Sequence, residues 1–146
     1  MLKRILVPIT GDERSEAIVP VVAALGRDRG ASIRLLRVFP VPEQVVGTHG
    51  RTVAYADQEM TRLTGEALDD LRRVETQLET LPVESVVRFG EPVEEIVLEA
   101  EAFGADLIAL AGETRGRLRG ALDPGVAAEV ARRAPVPTLT LAAERA

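Results

Sequence analysis

Five short apolar runs, at residues 3–9, 32–39, 83–89, 106–111 and 136–141, are separated by stretches whose apolar positions recur every three or four residues. Runs of that length bounded by Gly, Pro or Asp read as strands, and the spaced stretches read as amphipathic helices. The first run, Ile5-Leu6-Val7-Pro8-Ile9, ends at Thr10-Gly11-Asp12 and has no polar face, which predicts a strand buried on both sides. Pro8 is out of place in a central strand unless the chain is already leaving the sheet there, and that is where it falls. A helix capped by Asp12 or Ser15 follows, with Ala17, Ile18, Val21, Val22 and Leu25 on its buried side and Gly30 as its stop. Pro20 inside this segment should kink or loosen its first turns.

After the second strand, a Pro-, Gly- and Val-containing loop runs from 40 to about 53, long for a compact domain and so either mobile or involved in binding. The spacing then predicts a long helix over about 56–80, with Met60, Leu63, Ala67, Leu71, Val74, Leu78 and Leu81 as its buried stripe. Arg62, Glu66, Asp69, Asp70, Arg73 and Glu79 lie opposite, as a solvated face. The third strand turns at Gly90-Glu91-Pro92 into a helix burying Val93, Ile96, Val97 and Ala100, with proline well placed at its start and Gly104 at its end. A Gly- and Arg-rich loop spans 112–124 after the fourth strand, a short helix covers 125–134, and Pro135 breaks it before the fifth strand. Residues 142–146 read as a polar tail, so the core of the single domain, 1–146, covers about 2–142. Strands alternating with helices imply an α/β fold with a parallel sheet, right-handed crossovers and helices on both faces.

Composition adds mainly exclusions. The chain has 146 residues, 46% hydrophobic and 28% charged, enough for one domain with a real core. With a net charge of −5 its overall field repels phosphate backbones, so nucleic acid is not an expected partner. No apolar stretch reaches membrane-span or signal-peptide length, and a cytoplasmic location is the default expectation. Cysteine is absent, which removes disulfides, thiol nucleophiles and Cys-based metal sites. The one histidine, His49, stands between glycines in the 40–53 loop and cannot make a typical zinc site alone. None of the three serines sits in a GxSxG elbow, and neither GxxxxGK[ST] nor GxGxxG occurs. Adjacent carboxylates such as Glu94-Glu95 and Asp69-Asp70 point apart on helices and read as surface. No catalytic residues and no metal ligands are assigned, and the chain is not expected to be an enzyme.

In open α/β sheets ligands bind beyond the carboxyl ends of the strands, where strand order reverses. Those ends are Ile9 through Asp12, Val38-Phe39-Pro40, Phe89-Gly90 and the loop from Gly112. In that loop glycine backbone allows close approach of an anion, the helix starting at Gly125 offers its positive end, and Arg115, Arg117 and Arg119 add charge. The plainer alternative is a flexible surface loop with scattered arginines.

Ile5-Leu6-Val7-Pro8, Gly11 through Ser15-Glu16-Ala17, Gly90-x-Pro92, Ala105-Asp106-Leu107-Ile108, the Gly112 loop, and Val126-Ala127 through Arg132-Arg133-Ala134-Pro135-Val136-Pro137 follow one another along the chain. In this order and spacing they resemble the universal stress protein family over nearly the whole chain. The resemblance implies a flavodoxin-like (Rossmann-like) five-stranded open sheet in the order 3-2-1-4-5. It also implies a homodimer through the last strand, from Val136 to Leu141, which would pair an exposed edge. The alternative is an edge shielded by Pro135, Pro137 and the tail.

Many members of that family bind ATP through Gly, two residues, Gly, nine residues, and Gly followed by Ser or Thr. Gly112 and Gly125 match the outer glycines, but Arg115 stands at the middle glycine and Val126 at the Ser/Thr. Arg115 lacks glycine's backbone freedom, Val126 has no hydroxyl, Pro124 has no N–H, and Asp123 brings a negative charge. Thr10 replaces the acidic residue usual at the end of the first strand. The candidate pocket is therefore Thr10, Gly11, Val38, Gly112, Arg115, Gly125 and Val126, degraded for ATP and either collapsed or adapted to another small ligand. No cofactor is expected, and ATP or another adenine nucleotide is disfavoured. The reading is a dimeric, non-catalytic stress-response module that contacts protein partners through the 40–55 or Gly112 loop. The alternative is a sensor of ATP, AMP or cyclic nucleotide that uses the loop arginines. A more distant one is a nucleotide hydrolase or transferase, whose Ser-Gly-Gly-x-Asp-Ser loop does not match residues 10–15.

Overall fold

β1 (Arg4–Pro8) is buried along its length beyond Arg4, because it lies between two parallel neighbours with helices on each face. The structure, a computed structural model, describes residues 2–10, 15–42, 51–113 and 125–143. The expectations placed on Gly11, Asp12, His49, the loop arginines 115, 117 and 119, Asp123, Pro124 and the last three residues lie outside that set. The elements are β1, a short 3-10 helix (Ser15–Ile18), α1 (Val19–Arg27), β2 (Ser32–Phe39), α2 (Arg51–Thr76), β3 (Val83–Phe89), α3 (Pro92–Phe103), β4 (Leu107–Glu113), α4 (Gly125–Arg133) and β5 (Thr138–Ala143). They form a single five-stranded sheet in the order β3-β2-β1-β4-β5, all pairs parallel, as the resemblance implied.

Alternation along the strands divides the interior in two. Ile5, Val7, Ile33 and Leu35 face α1 and α2 with Val22, Leu71, Val74 and Leu78, while Leu6, Leu36, Ile108 and Leu110 face α3 and α4 with Val93, Ile96 and Val130. Among the described residues, no helix is long and apolar enough to cross a membrane. Asp106, just before β4, ties the strand bottoms together, its carboxylate accepting from the backbone N–H groups of Lys3 (2.9 Å) and Arg4 (3.2 Å).

Several boundaries differ from the sequence reading. Ser15 does not cap a helix: the turn it opens is 3-10, and its Oγ accepts from the Thr10 backbone N–H at 3.0 Å. The helical segment around Pro20 opens as the 3-10 turn Ser15–Ile18 and becomes α-helical only at Val19, so the proline stands in the first turn of α1, where its missing N–H is tolerated. α2 starts five residues earlier than its apolar stripe suggests and ends at Thr76, with residues 77–80 in turns closed by Gln77 N–H to the Val74 carbonyl and Leu78 N–H to the Glu75 carbonyl. β4 continues through Gly112 and Glu113, which pair with Ala142 and Ala143 of β5. Gly112 is thus strand rather than loop, and β5 absorbs two residues read as tail.

One charged cluster replaces hydrocarbon on the α3 side of β2 and β3. Glu99 of α3, its side chain only 4% exposed, accepts from Arg34 of β2 (2.5 Å) and Arg88 of β3 (2.7 Å). Arg88 also donates to Glu95 (2.6 Å), Arg34 to Glu84 (2.5 Å), and the Arg34 guanidinium lies 4.3 Å from the Phe103 ring centre. Glu95, read as surface, therefore belongs to the attachment of α3. Gly90 makes room for it: at φ 156° it occupies backbone space unfavourable to other residues, and a Cβ there would overlap the Glu95 carboxylate. The Glu95 and Glu99 carboxylates hold the Arg88 guanidinium above its ordinary pKa.

Neutralising Glu99 weakens two charge-assisted hydrogen bonds but leaves Arg34 with Glu84 and Arg88 with Glu95, whereas an exposed pair contributes little. Glu99→Gln is expected to lower the unfolding free energy by about 2 kcal/mol in urea denaturation. Glu84→Gln, at a carboxylate 54% exposed, should cost under about 1 kcal/mol by the same measurement.

Candidate functional site

At the carboxyl rim of the sheet, on the face covered by α3 and α4, lies a cavity of about 170 Å³. Its floor is strand: Pro8, Ile9 and Thr10 where β1 leaves the sheet, Leu36 and Val38 of β2, and Leu110 and Ala111 of β4. Pro92 and Ile96 of α3 and Val126 of α4 close it from above, and Ser15 of the 3-10 turn completes the described wall. Ile9, Leu36, Ile96 and Leu110 are buried, while Val38 and Val126 are half-buried.

Three of the pocket residues expected from sequence, Thr10, Val38 and Val126, come together in this wall. Gly125 stands next to Val126 as the exposed first residue of α4 and is not part of the described lining. Gly112 is not part of it either. An added Cβ at Gly112 would lie 3.1 Å from the Ala127 Cβ and 3.2 Å from the Thr140 Cγ2, so its glycine lets α4 settle on β4 and β5. Gly11 and Arg115 lie outside the described residues.

The described lining holds no titratable side chain; its polar members are Thr10 and Ser15, joined through the Thr10 N–H bond to Ser15 Oγ. The first turn of α3 beside the cavity is already satisfied from within the chain. Glu91, at the N-cap, accepts from Glu94 N–H at 2.8 Å and from Val93 N–H at 3.4 Å, and Pro92 has no N–H to offer. This capping escaped the sequence reading, since glutamate is not among the preferred N-cap residues. Ile96 lies on the expected buried side of α3, and Leu36 and Leu110 lie within expected strands; nothing in a periodic apolar pattern separates a side chain that fills space from one that borders a void. Among the described residues, no group of three or more His, Cys, Asp or Glu side chains is arranged to hold a metal ion.

Residues 1–141 match the model of the universal stress protein family. Among solved structures, the hypothetical protein MJ0577 shares the fold with a TM-score of 0.80 and 25% identity, over 100% of this chain and 98% of that one. A universal stress protein in complex with cAMP aligns with a TM-score of 0.68 and 17% identity, over 97% of this chain and 98% of that one. The universal stress protein from Archaeoglobus fulgidus in complex with dAMP aligns with a TM-score of 0.57 and 17% identity, over 96% and 97%. No curated protein matches the sequence.

The packing at Gly112 yields a direct test. Gly112→Val is expected to push α4 off the sheet and to destabilise the fold by about 2 kcal/mol, the ordinary cost of overpacking. Urea denaturation reads the loss, and backbone amide shifts of residues 125–133 read the displacement.

Proposed function

As the chain belongs to the universal stress protein family, we propose that it is a non-catalytic, dimeric stress-response module whose rim site does not grip ATP. The observation that carries this reading is the chemistry of the cavity wall. Val126 stands in it where the family's motif has a hydroxyl, Thr10 stands where an acid is usual, and no described lining residue is charged. A triphosphate needs several converging donors or cations. The α3 terminus has its first-turn N–H groups on Glu91, whose carboxylate repels an approaching anion.

A second reading is supported by two of the structures of the same fold, described in complex with cAMP and with dAMP. On that reading the loop arginines, Arg115 foremost, take over the phosphate contacts, and the chain is a nucleotide sensor. The apolar wall favours the first reading over this one.

The dimer is proposed through β5. It is an outer strand of the sheet, with the Leu139 side chain among the exposed large apolar groups and the Thr138 hydroxyl buried without a hydrogen-bond partner. An unpaired strand edge carrying apolar groups is ordinarily covered or blunted.

Isothermal titration with Mg-ATP is expected to give no saturable heat at micromolar concentrations, and a micromolar Kd removes the reading. Restoring the motif with Arg115→Gly and Val126→Ser together should raise the ATP affinity at least about tenfold, the effect of a hydrogen bond or two regained. For the dimer, Leu139→Asp should shift the sedimentation coefficient to that of a 15.7 kDa monomer; a wild-type chain already sedimenting as a monomer overturns the assignment.

A further inference from the structure

We infer that the rim cavity takes a small, uncharged aromatic molecule, one or two fused rings with at most one hydrogen-bonding group. This assigns a ligand class to the site described above and rests on the reading that a triphosphate is not held there. The void is the right size: about 170 Å³, against the ~150 Å³ of an apolar cavity that stays dry and admits benzene. It is smaller than the several hundred Å³ typical of sites for larger ligands, so a ring fits and an extended molecule does not.

The lining decides the polarity. Leu36, Ile96, Leu110 and Val38 bring branched aliphatic carbon from three elements, and Pro8 and Pro92 add rigid hydrocarbon. An ordered water needs two to four polar partners. Here the described polar members, Thr10 and Ser15, stand together and already share a hydrogen bond, so water gains little by entering. The same pair sets the polar edge of the described lining that a ligand meets. Among the described lining residues neither sign of charge meets an opposite side-chain charge, and at the α3 end an anion meets a helix terminus whose first-turn donors Glu91 has taken.

The wall is also preorganised. Leu36 belongs to a paired central strand, and Ile96 is packed into the core beneath α3, so little side-chain freedom remains to be lost on binding.

The test uses the full chain with 13C-labelled Ile, Leu and Val methyls, titrated separately with indole and with Mg-ATP. Indole is expected to shift the methyls of Leu36, Val38, Ile96, Leu110 and Val126 saturably, with the rest of the spectrum unmoved. Val38→Phe, which fills the void, should weaken indole at least tenfold. Should that variant fail to fold, Val126→Phe at the half-buried mouth serves the same purpose. Indole shifts that are absent, scattered over the surface, or unchanged in the filled variant overturn the inference. Silence towards both ligands removes this inference alone and leaves the proposed function standing. Saturable ATP shifts on the same methyls remove the proposed function and, with it, the ligand class inferred here.

Discussion

β1 has to bury both its faces and pair both its edges within five residues, Arg4 to Pro8, and the rest of the architecture is arranged around that need. Its backbone groups are shared between β2 and β4, and its side chains are dealt alternately to the two cores: Ile5 and Val7 to one, Leu6 to the other. A one-residue slip would exchange these sets and place each against helices shaped for the other. The same strand fixes where the rim begins. Pro8 makes the last pair with β2, Ile9 still donates its N–H to the Leu36 carbonyl, and the chain then turns up at Thr10 to form the wall of the cavity.

The helices respond to the sheet in two different ways. On the α1 and α2 side the core contact is hydrocarbon from Ile33 to Leu78, with Ser85 of β3 donating to Glu75 and Arg37 of β2 set near Asp70 beside it. On the other side, α3 covers the centre with Val93, Ile96 and Ala100 but reaches β3 through Glu95 and Glu99, which meet arginines projecting from the strands. Gly90 connects this clasp to the rim. Without a side chain, it lets Glu95 fold back against Arg88 just where the chain turns into α3, whose Pro92 and Ile96 line the cavity. The position of one wall of the site thus depends on an ion pair at its far end.

Fold class and strand order follow from features plain in the sequence: apolar runs of strand length, separated by helical spacing, each with a turn residue at its end. What the sequence conceals is where backbone pairing overrides composition. Gly112 belongs to β4, and Ala142 and Ala143 belong to β5, because each completes the ladder of the other; alone, each looks like loop or tail. Arg51 to Tyr55 precede the buried stripe of α2, so periodicity starts the helix too late. At the site, the substitution of Val126 for a hydroxyl residue is legible by spacing alone. The void is not, since it depends on how far α3 and α4 stand from the strand ends. Nor is the role of Glu99, which sits at a position where helical spacing leads one to expect an aliphatic residue. Its partners, Arg34 and Arg88, lie 65 and 11 residues away in the chain.

The buried charges beneath α3 have a thermal consequence. Hydrocarbon burial weakens on cooling, while the penalty for holding charges away from water eases on heating. Hydrocarbon closes both faces and weakens on both in the cold, while the clasp through Glu99 is an attachment that gains as the temperature rises. The helix that carries part of the cavity roof is thereby held by a contact that does not fade with warming.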